Sequence, residues 1–259
     1  MNVDTFVSDR WKATDDRNIC LYMNGKRKIK PNSNKPLSRN LYIISRKRKI
    51  HDIHLYINTL VVVDKSIRNQ FGSVNKMRKH VKTLMKSAAK HYLHESLTRY
   101  HLRIHLVLSK IVLLKREIKF DPSKEGILDF ACSIMNRIEK REERTFDHKL
   151  FLTRNEFGSG GLGRGNGMCD RNQSCSMARD DYSSVIIAHE IAHTFGVNHD
   201  KYFENSQEIM SPELNNRISD PHWSIQSRNS LIRLAKRYSC IDKTKTSNGW
   251  HYNNDGLNI

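Results

Sequence analysis

The sequence contains no apolar run of 18 residues, which excludes a membrane-spanning helix. Its longest apolar stretches, around LVVV (60–63) and IVLL (111–114), have the length of buried strands. None of the five cysteines, Cys20, Cys132, Cys169, Cys175 and Cys240, forms a C-x-x-C pair, which argues against a cysteine zinc site. The segment GSGGLGRGNG (158–167) lacks the G-K-[ST] ending of a phosphate-cradling loop and reads as an irregular crossing segment. No internal repeat is visible. The opening MNVDTFVSDRWK has no apolar core of a signal peptide. Yet four cysteines in the body of the chain can form two disulfides, which implies an oxidising compartment. Either the natural start lies upstream or export is unconventional, and the residues leave both open. Acidic residues are missing from Gly25 to His51.

What is present is basic. The 259 residues carry a formal charge of +18, and residues 1–50 hold 13 Lys/Arg against 4 Asp/Glu. That segment reads either as a polyanion-binding arm for heparin-like glycans, nucleic acid or acidic membrane, or as a solvated, flexible leader. No aromatic residue interleaves the basic clusters 26–30 and 45–49, so a specific nucleic-acid groove is not expected. The length suits one good core with an arm or tail. From residue 53 onward, IHLYINTLVVV (53–63), LRIHLVLSKIVLL (102–114) and KLFLT (149–153) read as strands. Residues 73–93, with Val74, Met77, Val81, Leu84, Ala88 and Tyr92 three or four apart, form an amphipathic helix. Residues 125–140 and 183–195 are helical, and a last helix over 224–238 starts at Ser224 as N-cap. The alternation predicts one α/β (α+β) layered domain.

The densest signal is AHEIAHTFGVNHD (188–200). On a helix, positions four apart share a face, so His189 and His193 can aim at one point. Gly196 follows where a positive φ is wanted to stop the helix, and the reversal can bring His199 round. Three imidazoles at ~2.0–2.1 Å leave a fourth tetrahedral position open, the layout of a catalytic zinc. Glu190, among the apolar Ala188, Ile191 and Ala192, can take a proton from water at that metal and pass it to a leaving amine.

The full string H-E-x-x-H-x-x-G-x-x-H, with Met210 following in EIMSP (208–212), resembles the metzincin metalloproteases and their Met-turn. Asp200 after the third histidine resembles the adamalysin (reprolysin) branch, the ADAM and ADAMTS enzymes. LYINTLVVVDK (55–65), DHKLFLTR (147–154), GMCDRNQSC (167–175) and HWSIQSR (222–228) are similar to ADAMTS catalytic-domain segments. The resemblance covers roughly residues 50–243.

It implies a zincin-like fold. The sheet would be mixed and mostly parallel, with packed helices, an active-site helix and a small C-terminal subdomain carrying the Met-turn. It implies a secreted, monomeric zinc endopeptidase acting on proteins or peptides. Substrate would lie as an added strand near Gly161–Gly163, where main-chain hydrogen bonds fix a peptide whatever its sequence. The segment MSPEL (210–214) would wall the specificity pocket. The resemblance suggests the disulfides Cys132–Cys175 and Cys169–Cys240, the second worth on the order of 4 kcal/mol by loop entropy. It also suggests a calcium site from Asn58, Asp147, the Cys240 carbonyl and Asp242. Asn58 there replaces the family's glutamate, which weakens the site.

By the same comparison residues 1–49 are a pro-segment remnant ending in the convertase-like SRKRK (45–49), and 244–259 form a tail. Cys20 sits in NICLYMNGK, a poor match to a zinc-capping switch. Asn172 in NQS is a glycosylation sequon. The alternative function is a zincin-fold basic binding protein that docks on glycosaminoglycans or a host protein with little catalysis.

Overall fold

The protein is described from a computed structural model. The chain divides into two units, Met1–Lys47 and Arg48–Ile259. The structure describes residues 51–242 except 123–124, 143, 182–183 and 215–217, all within the second unit. The basic segment 1–49 with Cys20, and the tail 244–259, lie outside the described residues.

Five strands form one sheet in the order β2-β1-β3-β5-β4. They are β1 (Ile53–Val63), β2 (Leu102–Leu113), β3 (His148–Thr153), β4 (Gly161–Gly163) and β5 (Cys175–Arg179). The first, second, third and fifth run parallel, and β4 lies antiparallel to β5 at the edge. A bulge after Thr59 skips Ser109 in the β1–β2 register. Along β1 the residues Leu55 and Ile57 face one core while His54, Tyr56 and Asn58 stay half-exposed, the alternation of a strand with one buried face. Further on, Leu60 to Val63 are all buried, because helices cover both faces there.

The longest helix, α2 (Val74–Tyr92), begins at Ser73, whose hydroxyl accepts from the Lys76 N–H. It buries Met77, Val81, Met85, Ala88 and Tyr92 on one face against the sheet and α5 (Ser184–Phe195). Helix α5 is buried on nearly every side, as an apolar helix at the centre of a domain should be. On the opposite face α4 (Ile127–Glu139) covers a second cluster around Leu60, Val62, Met135, Phe151 and Met177. The short α1 (Lys65–Arg68) and α3 (Glu95–Thr98) join these elements. The last helix, α6 (Ile225–Ala235), starts at Ser224, whose hydroxyl accepts from Ser227 N–H.

Disulfides join Cys132 of α4 to Cys175 of β5, and Cys169 to Cys240. Beside the first, Lys149 is fully buried on β3. Its ammonium donates to Glu139 at 3.1 Å and to the Arg171 carbonyl at 2.7 Å. A buried charge is tolerated when it is paired and hydrogen-bonded in this way.

The segment 158–167, expected to be irregular, contains the strand β4. Glycine is a poor strand former, so the pattern hides it. The ladder forms because glycine lets the backbone lie against α5.

Candidate metal centre

Helix α5 ends at a glycine for a geometric reason. Gly196 has φ +93°, its N–H donates to the His193 carbonyl at 2.8 Å, and the Val197 N–H reaches the Ala192 carbonyl at 3.2 Å. This is the paired-bond helix stop that a left-handed residue permits, with Val197 buried behind it. A side chain there would also strike Asn166, whose Oδ1 lies 2.0 Å from where a β-carbon would stand. The same glycine-rich segment caps the helix end: Asn166 N–H donates to the His193 carbonyl and Met168 N–H to that of Thr194.

The reversal brings three rings together. The Nε2 atoms of His189, His193 and His199 lie 3.0–3.1 Å from one another. Among the described residues they form the only group of three or more His, Cys, Asp or Glu whose ligand atoms approach closely enough to share an ion. Two of the rings are oriented from behind. His189 Nδ1 lies 2.7 Å from the Ile209 carbonyl and His193 Nδ1 2.8 Å from that of Val197. A carbonyl can only accept, so each Nδ1 carries the proton and each Nε2 presents a lone pair to the others. Converging lone pairs repel unless a cation sits between them. Three nitrogens ~2.0–2.1 Å from a tetrahedral ion are about 3.3–3.4 Å apart, a few tenths more than observed, so the donor set fits zinc. Burial, then the neighbouring His193, pushes His189 down to about 3, keeping it neutral at physiological pH.

Glu190 lies beneath β4. Its carboxyl is pushed up to about 8 by burial. A divalent cation beside it acts in the opposite direction. A β-carbon on Gly161 would stand 2.6 Å from Glu190 Cγ, and one on Gly163 would stand 2.4 Å from the Glu190 carbonyl oxygen. The edge strand therefore rests directly on this residue. A cleft of about 370 Å³ opens along that edge, lined by β4, the three histidines, Glu190, Ile186, Pro212 and Leu214.

Met210 is fully buried in the larger core, in a turn closed by the Ser211 N–H on the Glu208 carbonyl. The link from that turn to the histidines is the carbonyl of its neighbour Ile209, which no side-chain pattern announces. Asp200 is buried beside the turn. Its N–H donates to the Met210 carbonyl, and its Oδ1 accepts from Ser224 Oγ at 2.6 Å and Ser227 Oγ at 2.7 Å. Ser224 was legible as an N-cap, but its bond to Asp200 joins residues 24 apart and has no local signal. Asn58 and Asp147 are brought together, the Asp147 carboxylate accepting from the Asn58 N–H at 2.8 Å. Cys240 and Asp242 lie at a short 3-10 turn, Ser239–Ile241, that packs on β1.

A mostly parallel sheet with one antiparallel edge strand above a histidine-bearing helix is the arrangement of a metallopeptidase catalytic domain. Residues 55–223 match the Reprolysin_5 family model, metallo-peptidase family M12. The chain is 28% identical over 224 residues to "A disintegrin and metalloproteinase with thrombospondin motifs 2" of Mus musculus, covering 79% of this chain and 18% of that protein. It is 30% identical over 199 residues to "A disintegrin and metalloproteinase with thrombospondin motifs 14" of Homo sapiens, covering 71% of this chain and 16% of that protein. The chain belongs to metallo-peptidase family M12. It spans less than a fifth of the length of these curated relatives. No described helix is long and apolar enough to cross a membrane.

Proposed function

We propose that this domain is a zinc-dependent endopeptidase that cleaves extracellular proteins, with His189, His193 and His199 holding the metal and Glu190 as general base. The observation that carries the reading is the convergence of three Nε2 atoms within 3.0–3.1 Å in a cleft that also contains Glu190. When bound, zinc supplies Lewis acidity that polarises a peptide carbonyl and acidifies water. The remaining work falls to the chain. The free edge of β4 offers main-chain groups to an extended substrate. Ile186, Pro212 and Leu214 give the cleft an apolar wall that favours an apolar substrate side chain. Glu190 accepts a proton from water as the water oxygen attacks the carbonyl carbon. It then returns that proton to the departing amine nitrogen, so that one water is consumed per bond cut.

Two disulfides support action outside the cell, where they persist. The same reading makes residues 1–49 a pro-segment, so that the mature chain found outside cells begins near Ile50. We also propose the calcium site of Asn58, Asp147, the Cys240 carbonyl and Asp242, a calcium-dependent rise in Tm that Asp147→Asn removes being its test.

The deciding experiment compares wild type with Glu190→Ala on a denatured protein substrate. Loss of a general base lowers turnover by about 10²–10⁴-fold, while zinc content stays at the wild-type value. Equal turnover by both proteins would overturn the assignment of Glu190.

A further inference from the structure

The folded region has a second feature that peptide hydrolysis does not use. Residues 51–242 hold 30 Lys/Arg and 22 Asp/Glu, an excess of eight positive charges. Residues 65–94 alone hold eight Lys/Arg and no acidic residue, so the other residues of the region balance to zero. The excess is therefore concentrated on α1 and α2. Within α2, Lys76, Lys79, Lys82, Lys86 and Lys90 are all exposed. At 100° per residue they fall within about a third of the helix circumference, opposite the buried face of Met77, Val81, Met85 and Ala88. They form a stripe about 21 Å long at 1.5 Å per residue. Among the described residues none of the five makes an ion pair.

Self-repulsion along one helix face is destabilising, and Lys82–Lys86 and Lys86–Lys90 are like-charge pairs at i,i+4. A stripe that is neither neutralised nor dispersed suits a linear polyanion that bridges successive ammonium groups. We propose that this face of α2 binds a sulfated glycan chain, such as a heparin-like polymer. Three features favour that occupant. Lysine is a compact point charge on a flexible stem, so a row of ammonium groups can follow irregularly spaced sulfates. No large exposed aromatic lies on this face to stack nucleic-acid bases. No large exposed apolar residue lies within the stripe to enter a membrane. The stripe faces away from the packing of α2 on α5, so glycan and peptide substrate bind independently.

The test uses the full chain and heparin as probe, with Lys79, Lys82, Lys86 and Lys90 all replaced by Gln. These side chains are exposed, so circular dichroism and Tm should stay at wild-type values. Heparin binding near 0.15 M salt should weaken at least about tenfold, and the slope of log affinity against log salt should fall by about 3, from four lost contacts. The same slope difference should persist when Lys26, Arg27, Lys28 and Lys30 are also replaced by Gln, which separates the helix from the N-terminal run. Hydrolysis of a short peptide should be unchanged by the four substitutions. An unaltered slope in the stripe variant overturns the proposal. So does tighter wild-type binding to single-stranded DNA or to phosphatidylserine vesicles than to heparin. The binding readouts do not depend on catalysis, so the inference can fail or succeed apart from the peptidase reading.

Discussion

Gly161 rests against the side chain of Glu190: a β-carbon added to it would come within 2.6 Å of Glu190 Cγ and 2.7 Å of Oε1. Two residues on, a β-carbon on Gly163 would come within 2.4 Å of the Glu190 carbonyl oxygen. The two glycines touch one residue at different depths, and their substitutions should separate. In Gly161→Ala the contact is a side chain, which can turn away. The fold should survive, and kcat/KM should fall about 10²-fold because the carboxylate is displaced. In Gly163→Ala the contact is backbone, so β4 or α5 must move. That variant should lose about 1–3 kcal/mol of stability, measured by urea unfolding. Equal loss of stability in both would contradict this division.

Gly196 carries two constraints that a double mutant can separate. Its φ of +93° disfavours any L side chain, and Asn166 Oδ1 would lie 2.0 Å from an added β-carbon. Gly196→Ala should cost at least about 1–2 kcal/mol from the backbone conformation alone, with overpacking added. Asn166→Gly in that background removes the clash but leaves the φ cost. It should restore part of the stability and not all of it. Asn166 itself has φ +57°, so restoration is measured against the Asn166→Gly single variant; full restoration on that scale would show that the left-handed conformation at residue 196 carries no cost.

His148 supplies a pH dependence away from the histidine cluster. It is fully buried on β3, with Nε2 2.9 Å from Ser176 Oγ, and burial pushes it down to about 3. Its folded pKa lies below the unfolded value near 6.5, so the unfolded chain binds the extra proton. Stability is therefore fully present above about 6.5 and falls as pH drops toward 3, by up to about 1.4 kcal/mol per pH unit from this group. His91, lowered to about 4 chiefly by burial, adds to the same acid loss. His148→Gln keeps a hydrogen-bonding side chain without the titration. Its urea midpoint should decline less steeply than that of wild type between pH 6.5 and pH 4. Parallel slopes would contradict the assignment.

Much of the architecture was readable because it rests on periodicity. Strands β1 and β2 and helices α2, α4 and α5 fall within a residue or two of their apolar patterns, and α6 begins at its serine cap. Helix α6 ends at Ala235, three residues before the pattern suggested. What escaped is short or defined by contact. The pattern gave no sign of β5, five residues opening on a disulfide cysteine, or of the four-residue helices α1 and α3. Strand β4 is two glycines around a leucine, and what places it is the approach to Glu190 rather than any propensity. At the centre, helical spacing was enough to pair His189 with His193. The carbonyls of Ile209 and Val197 that orient those rings were not legible, since every residue has a carbonyl. Their use depends on how the chain returns after Gly196.

The most direct measurement is metal content of the purified, folded protein by atomic spectroscopy. Wild type should hold one zinc per chain, and His193→Ala should lose it while the other properties of the fold persist. A folded wild type without stoichiometric zinc would contradict the peptidase reading, as would a variant lacking all three histidines that keeps its zinc.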